Sequence, residues 1–412
     1  AEMADLEEGA AVNYGFYSRN VMAREKALYR GHAIAAVAAT TPAIAEEALS
    51  LIQVDYEVLP PVLNAFDAMK EDAPILHERL LQMTSPAFRV GGYGDGLKQT
   101  NISNHFEFRL GDLEQGFAEA EVIVEREFHT KAVHQDYIEP HAATAHWNSD
   151  GYLTIWCSSQ GHFAFRDHIS HILGIPVSQV KVVPMEIGGG FGAKGQGGVY
   201  LEPVAAMLSK KSARPVKIAM SRTEVFNGTG PTSGTHVKIK MGATKEGRIT
   251  AAQANMIYEA GAFPGSPVGG ACRTMFAPYD IPNGHIEAYD VVLNVQKAAA
   301  YRAPGSPAAA FAVECVVDEL CEKLKMDPIE FRLLNASRDG TRQIPGPVFR
   351  SIGNVEVLEA SRAHPHYSTP LEGPVLGQAE GRYRGRGFAS GAWMNGTGPA
   401  SAVASLNPDG TV

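Results

Sequence analysis

The sequence predicts an α+β fold with mixed sheets and flanking helices, on three observations. Strand patterns alternate with helix patterns, but without the regular rhythm of a doubly wound parallel sheet. Strands also follow one another through short polar turns, as around Asp150 and Gly151. Finally, 45% of the 412 residues are hydrophobic, enough apolar material for two or three cores.

Residues 1–20 show no clear period. His32–Thr40, HAIAAVAAT, reads as a buried strand. The helix that follows, TPAIAEEALSLIQ, has Thr41 as its cap and Pro42 in its first turn. VDYEVLPP then reads as a strand ended by its prolines. This is a single β-α-β piece, and nothing before His32 supplies the other strands of a sheet. Residues 1–85 read as one incomplete small domain and 86–103 as a linker. From Asn104 the pattern is strand, short helix, strand up to Thr130, then two strands within 141–160. HFAFRDHISHILGI is a helix with Phe163, Phe165, Ile169 and Ile172 as its apolar candidates. VKVVPM is a strand, YLEPVAAMLSKKS a helix and PVKIAMSR a strand. Two strand pairs are expected around KEGRI and around IPNGHIEAYDVVL. The loop AAAYRAPGSPAAA leads into a long helix from Phe311 to Leu324. Residues 104–340 thus read as the main domain, and 341–412 as a linker and the start of another. The last stretch, ASAVASLNPDGTV, reads as a strand and a turn with no return strand, so the chain is expected to be a fragment open at both ends.

Composition narrows the function. A net charge of −9 with no clustered Lys/Arg tract disfavours a nucleic-acid partner. No stretch approaches 18 apolar residues, and no signal-peptide pattern opens the chain. The four cysteines, Cys157, Cys272, Cys315 and Cys321, form no C-x-x-C pair and no zinc spacing. They read as buried thiols of a reduced, cytoplasmic protein.

The stretch EIGGGFGAKGQGG, Glu186 to Gly198, carries seven glycines in thirteen residues. A strand, a glycine turn and a helix place backbone N–H groups at a helix N-terminus, where anions bind. Lys194 adds a positive charge. Gly190, Gly192 and Gly195 even spell G-x-G-x-x-G. The dinucleotide reading wants an acid at the end of the next strand, and Arg222 stands there instead. A tight loop that binds nothing is the bland alternative, although ordering so many glycines costs chain entropy.

Seven stretches together resemble the molybdopterin-binding large subunit of the xanthine dehydrogenase/aldehyde oxidase family, with the closest likeness to large chains of the aerobic carbon monoxide dehydrogenase kind. They are HAIAAVAATTPAIAEEALSLIQVDYEVLP, HQDYIEPHAATA, SSQGHFAFRDHISHILGI, EIGGGFGAKG, FAPYDIPN, AAAYRAPGSP and VECVVDELCEKLKMDPIEFRLLN. They occur in the family's order and cover roughly Tyr29 to Asn335. The resemblance implies part of a hammerhead-like α/β domain followed by the first molybdopterin-binding domain. It implies that Gly189, Gly190, Phe191, Gly192 and Ala193 line a molybdenum pterin, in its cytosine dinucleotide form. It gives Gln160 a hydrogen bond to an oxygen on molybdenum, Arg302 a hold on the cofactor region, and Arg273 a part in orienting substrate. Glu139 is a family position read as structural. No protein side chain is expected to ligate the metal.

The implied reaction is hydroxylation with water as oxygen source. Electrons leave through iron–sulfur clusters to FAD on partner subunits, since this chain has no cluster-binding cysteine pattern. A dimer of heterotrimers is expected. The family's catalytic glutamate falls beyond Val412. Ala303 stands where carbon monoxide dehydrogenases carry a copper-binding cysteine, so no copper is expected. Gly195 replaces an acid of purine-oxidising relatives, which points to an aldehyde or N-heterocycle. Two rival readings stay open: a scaffold homologue without cofactor, and an NAD(P)-dependent dehydrogenase.

Overall fold

The computed structural model describes residues 14–78, 80, 83–84, 100–195, 197–369, 385–394 and 402–411. Most of the expected linker, 86–103, lies outside them. Helix α1 (Tyr14–Val21) precedes α2 (Pro42–Ser50) and the short α3 (Ala65–Ala68). Thr41 caps α2 as predicted, its hydroxyl accepting from Ile44 N. The strands expected on either side of α2 are not formed: residues 32–39 and 52–60 belong to no sheet. A strand exists through pairing with a neighbour, and neither segment has one among the described residues. Helix α2 accordingly buries no side chain, and Leu51 and Val58 are 75% and 89% exposed.

Strand β1 (Met83–Thr84) is followed by β2 (Ile102–Leu110), α4 (Leu113–Ala118) and β3 (Val122–Thr130), the predicted strand–helix–strand. Strands β4 (Ala142–Trp147) and β5 (Leu153–Cys157) form the hairpin around Asp150 and Gly151. Helix α5 (His162–Leu173) crosses to β6 (Val180–Pro184), which lies parallel to β5. Phe165, Ile169 and Ile172 are buried in α5, but Phe163 is 64% exposed. Two residues of helix turn it about 200° from Phe165, onto the opposite face. Helix α6 (Glu202–Ser212) and β7 (Val216–Ala219) complete a sheet of order β6-β5-β4-β7.

Helix α7 (Arg222–Gly228) opens with a capping box between Ser221 and Glu224. Arg222 therefore starts a helix rather than ending a strand. Strands β8 (Thr235–Ala243) and β9 (Ile249–Gly261) form the hairpin expected around 245–249. The second expected pair is not formed. Instead α8 (Val268–Thr274) carries the chain over to a single strand, β10 (Gly284–Val292). It runs parallel to β9 and antiparallel to β2. A parallel partner needs such a crossover and cannot follow a tight turn. The larger sheet has the order β1-β2-β10-β9-β8-β3.

Helix α9 (Ser306–Leu324) begins at Ser306 rather than Phe311, because Pro307 suits a first turn. Helices α10 (Pro328–Leu334), α11 (Asn354–Ala363) and α12 (Pro365–Ser368) follow. The strand expected at the end is absent among residues 402–411, although the turn forms, with Gly410 N donating to Asn407 O.

Two cores result. Phe106, Ile239, Met256 and Ile286 of the larger sheet pack under α9 through Val313, Val316 and Leu320. Ala145, Ile155 and Val182 of the smaller sheet pack against Ile169 of α5 and Ala205 of α6. The carboxyl ends of the parallel pair β5 and β6 lead into Gln160 and the glycine loop, and the loop before α9 meets them there.

Candidate cofactor site

The glycine loop is held open by hydrogen bonds to Gln160. The Gln160 Oε1 accepts from Gly192 N at 2.8 Å and from Lys194 N at 3.3 Å. The Gln160 backbone N–H donates to Lys194 O at 2.8 Å. Both side-chain contacts come from donors, so the carbonyl faces the loop and the NH₂ end is left to donate outward. A Cβ at Gly190 would lie 2.6 Å from Gln160 Oε1, so a side chain there would push the glutamine off the loop.

The loop between β10 and α9 closes the other side. Arg302 N donates to Phe191 O at 2.8 Å, and Gln135 Nε2 donates to Ala300 O at 2.9 Å. Six non-glycine residues among those described have positive φ. Ala213 and Lys325 end helices. The other four, Asp136, Phe191, Arg302 and Ala303, gather around this site. Such conformations cost energy and persist where the surroundings fix them, commonly at binding sites. Gln160, Phe191 and Arg302 are exposed.

Beneath the loop lies a polar cluster. Lys194 is fully buried, and its Nζ donates to Glu139 Oε2 at 2.7 Å and Ser158 Oγ at 3.3 Å. Burial works against the charge of Glu139, but Lys194 and the Gly188 N–H hold its carboxyl below the usual carboxylate range. The lysine therefore neutralises Glu139 and offers no charge to a ligand, contrary to the sequence reading. The helix N-terminus is also not free. Glu202 is 3% exposed and folds back so that Oε2 accepts from Tyr200 N at 3.1 Å. Its carboxyl already stands where the pyrophosphate of the dinucleotide reading would bind.

The structure thus brings together Gln160, Gly189 to Ala193 and the loop carrying Arg302. Arg273 lies on α8 and opens onto a different cavity of about 210 Å³, with Ser266, Asp290 and Met394. The Nη1 of Arg273 is 3.7 Å from Met394 Sδ. Helix α8 still abuts the second loop, since a Cβ on Gly270 would lie 2.6 Å from Pro304 O. The sequence reading missed Gln135, which is 5% exposed and whose Oε1 is buried without a partner. Ser159 Oγ, beside Gln160, is likewise unpartnered.

These features fit a molybdenum pterin. Buried polar atoms flank the loop and lack partners, and small residues leave the backbone open to a flat anionic group. All four cysteines are free. Cys157, Cys272 and Cys321 are buried and Cys315 is half-buried. Among the described residues no cluster of His, Cys, Asp or Glu could hold a metal ion, and no helix is long and apolar enough to cross a membrane.

Comparison with known proteins agrees with this geometry. Residues 95–336 match the molybdopterin cofactor-binding domain, and residues 2–60 match the hammerhead domain of aldehyde oxidase and xanthine dehydrogenase. The nicotinate dehydrogenase large molybdopterin subunit of Eubacterium barkeri is 32% identical over 336 residues, which is 81% of this chain and 74% of that subunit. The carbon monoxide dehydrogenase large chain of Hydrogenophaga pseudoflava is 32% identical over 337 residues, 77% of this chain and 40% of that one. The aldehyde oxidoreductase of Desulfovibrio gigas superposes with a TM-score of 0.69 at 26% identity, covering 79% of this chain and 34% of that one. The chain therefore spans three quarters of the first relative but only two fifths or less of the other two. With the glycine loop, Gln160 and the Arg302 loop assembled within the matched span, the chain belongs to the molybdopterin-binding xanthine dehydrogenase/aldehyde oxidase family.

Proposed function

We propose that this chain is the cofactor-holding part of a molybdenum hydroxylase. In this reading the enzyme oxidises an aldehyde or an N-heterocycle with water as oxygen source. The observation that carries it is the meeting of Gln160, the glycine loop and the Arg302 loop in one strained, exposed cradle. The likeness to a nicotinate dehydrogenase supports a heterocycle, and the likeness to an aldehyde oxidoreductase supports an aldehyde.

When bound, the cofactor supplies a redox-active, Lewis-acidic molybdenum. The residues of this chain then have distinct tasks. Gly189, Gly190, Phe191, Gly192 and Ala193 form the seat. Gln160 donates its outward NH₂ to an oxygen of the group, while its carbonyl stays with the loop. Arg302 holds anionic oxygens with its exposed guanidinium. Arg273 orients the substrate from its neighbouring cavity. Ala303 offers copper nothing to bind, and Cys272 is buried in α8 rather than carried by this loop. Iron–sulfur and FAD subunits take the electrons, in a cytoplasmic dimer of heterotrimers with the pterin as its cytosine dinucleotide. Residues 104–340 form the first cofactor-binding domain.

The test is the purified holoenzyme. Stoichiometric molybdenum and pterin are expected, with oxygen from ¹⁸O-labelled water in the product. A pterin-free enzyme, or label entering only from O₂, would overturn the reading.

A further inference from the structure

Lys194 is fully buried, and with Glu139 it joins both ends of the glycine loop. At the front, Glu139 N donates to Gly188 O at 3.1 Å, and Gly188 N returns a bond to Glu139 Oε2 at 2.6 Å. At the back, Lys194 Nζ donates to the same Oε2 at 2.7 Å and to Glu139 O at 3.1 Å. One carboxylate oxygen therefore receives both ends. The ring of Tyr137 lies 5.0 Å from the ammonium, and the Lys194 backbone is fixed on both sides by Gln160.

The loop needs such external support. Gly189, Phe191 and Gly192 sit at φ values of 97°, 52° and 111°. Glycines bring no side chains to pack, and their freedom favours an unfolded loop. We propose that the Glu139–Lys194 pair is a positioning device that holds this loop in its binding form before any cofactor arrives. The inference rests on the loop being the cofactor seat.

The two partners are not equivalent. The Lys194 side chain is fully buried, whereas that of Glu139 is 32% exposed. Loss of the carboxylate strands a buried ammonium, which is severely unfavourable. Loss of the ammonium leaves a carboxylate that water can reach.

Hydrogen exchange over residues 186–194, read by mass spectrometry on the holoenzyme and on enzyme depleted of cofactor, tests this directly. Slow exchange is expected in the wild type. Glu139→Gln should raise the loop rates about tenfold or more, with strand β5 unchanged. Lys194→Met should have a smaller effect. The double variant E139Q/K194M, free of both charges, should recover most of the protection. A packing role alone would make the double variant the worst. Wild-type exchange in E139Q, or a double variant less protected than either single one, overturns the proposal. An E139Q chain that does not fold beside a double variant that does gives the same order and supports it. If neither folds, packing explains the pair and the proposal fails. Molybdenum analysis of the wild type is a separate readout. Its absence would sink the loop as cofactor seat, while the exchange rates still decide whether the pair holds the loop.

Discussion

At Gly192 the backbone has φ +111°, and a Cβ would lie 2.6 Å from the Ala300 carbonyl oxygen. Valine there would meet both a disfavoured backbone angle and a clash. Gly192→Val should therefore leave the holoenzyme without molybdenum while the core stays folded. Metal content equal to wild type would refute the role of the loop. Two buried groups below the loop set opposing pH responses. Glu202 is pushed up to about 7 by burial, and His141 is pushed down to about 3, first by burial and then by the charge of Lys194. Between pH 4.5 and 7 folded Glu202 keeps a proton that the unfolded chain has lost, so its contribution makes stability fall as pH rises. Between pH 6.5 and 3 the unfolded chain binds a proton at His141 that the folded state refuses, so that contribution makes stability fall as pH drops. The two slopes oppose each other from 4.5 to 6.5. Glu202→Gln should add a slope of about +1.4 kcal/mol per pH unit there, and His141→Asn one of about −1.4. Urea midpoints across this range measure both, and an unchanged slope in either variant removes that group as a source. The glycine loop was legible in the sequence because the clue is local, many small residues after an apolar strand, whereas Gln160 came only from the resemblance of its stretch to the family. Lys194 and Glu139 were singled out, but their pairing was not, and Gln135 was not singled out at all, because the partners lie far away in the chain. The Gln135–Ala300 contact spans 165 residues, and nothing near Gln135 announces it.

Helices α9 and α10 are joined through one buried arginine. The Arg332 side chain is 1% exposed and donates to Glu314 Oε2 at 2.7 Å and Asp318 Oδ1 at 2.9 Å. Glu314 also accepts from the Tyr279 hydroxyl and from Ser390 N. One carboxylate thus ties two helices, the segment after α8 and the later segment 385–394. Arg332→Met leaves Glu314 buried without its counter-charge and should cost about 3–5 kcal/mol. Pairing it with Glu314→Gln should return part of that loss, measured as the coupling in a double-mutant cycle. Strict additivity of the two changes would show that the ion pair is not the cause. Elements with strong periodic patterns were legible: the β4–β5 and β8–β9 hairpins, α5 and most of α9. The errors had physical causes. A strand needs a partner, and the apolar runs beside α2 have none among the described residues. A PNG turn looked like a hairpin, but tertiary pairing used only the strand after it.

At the scale of the molecule, the cradle is one wall of a site. Gln160, Phe191 and Arg302 all remain exposed around it, whereas a tightly held ligand has most of its surface, about 70–90%, covered by protein. Phe191 alone leaves half of its surface open. Among the described residues, the apolar side chains beside α2 form a second exposed face, with Val58 at 89%. In the proposed function, a polypeptide that covers the cradle supplies the remaining cofactor contacts. The 412-residue chain expressed alone should retain no stoichiometric molybdenum after desalting and should not reduce a dye with an aldehyde. Addition of the enclosing polypeptide should restore both. The holoenzyme should carry molybdenum, iron and flavin without stoichiometric copper, and should not oxidise carbon monoxide, because Ala303 places a methyl group where a thiolate would be needed. Metal analysis of the isolated chain and of the complex, beside aldehyde- and carbon monoxide-dependent dye reduction, decides these points. Tight molybdenum and turnover in the isolated chain would show that one wall is enough. One copper per molybdenum in the complex would show that a ligand outside the 300–305 loop has taken the role denied to Ala303.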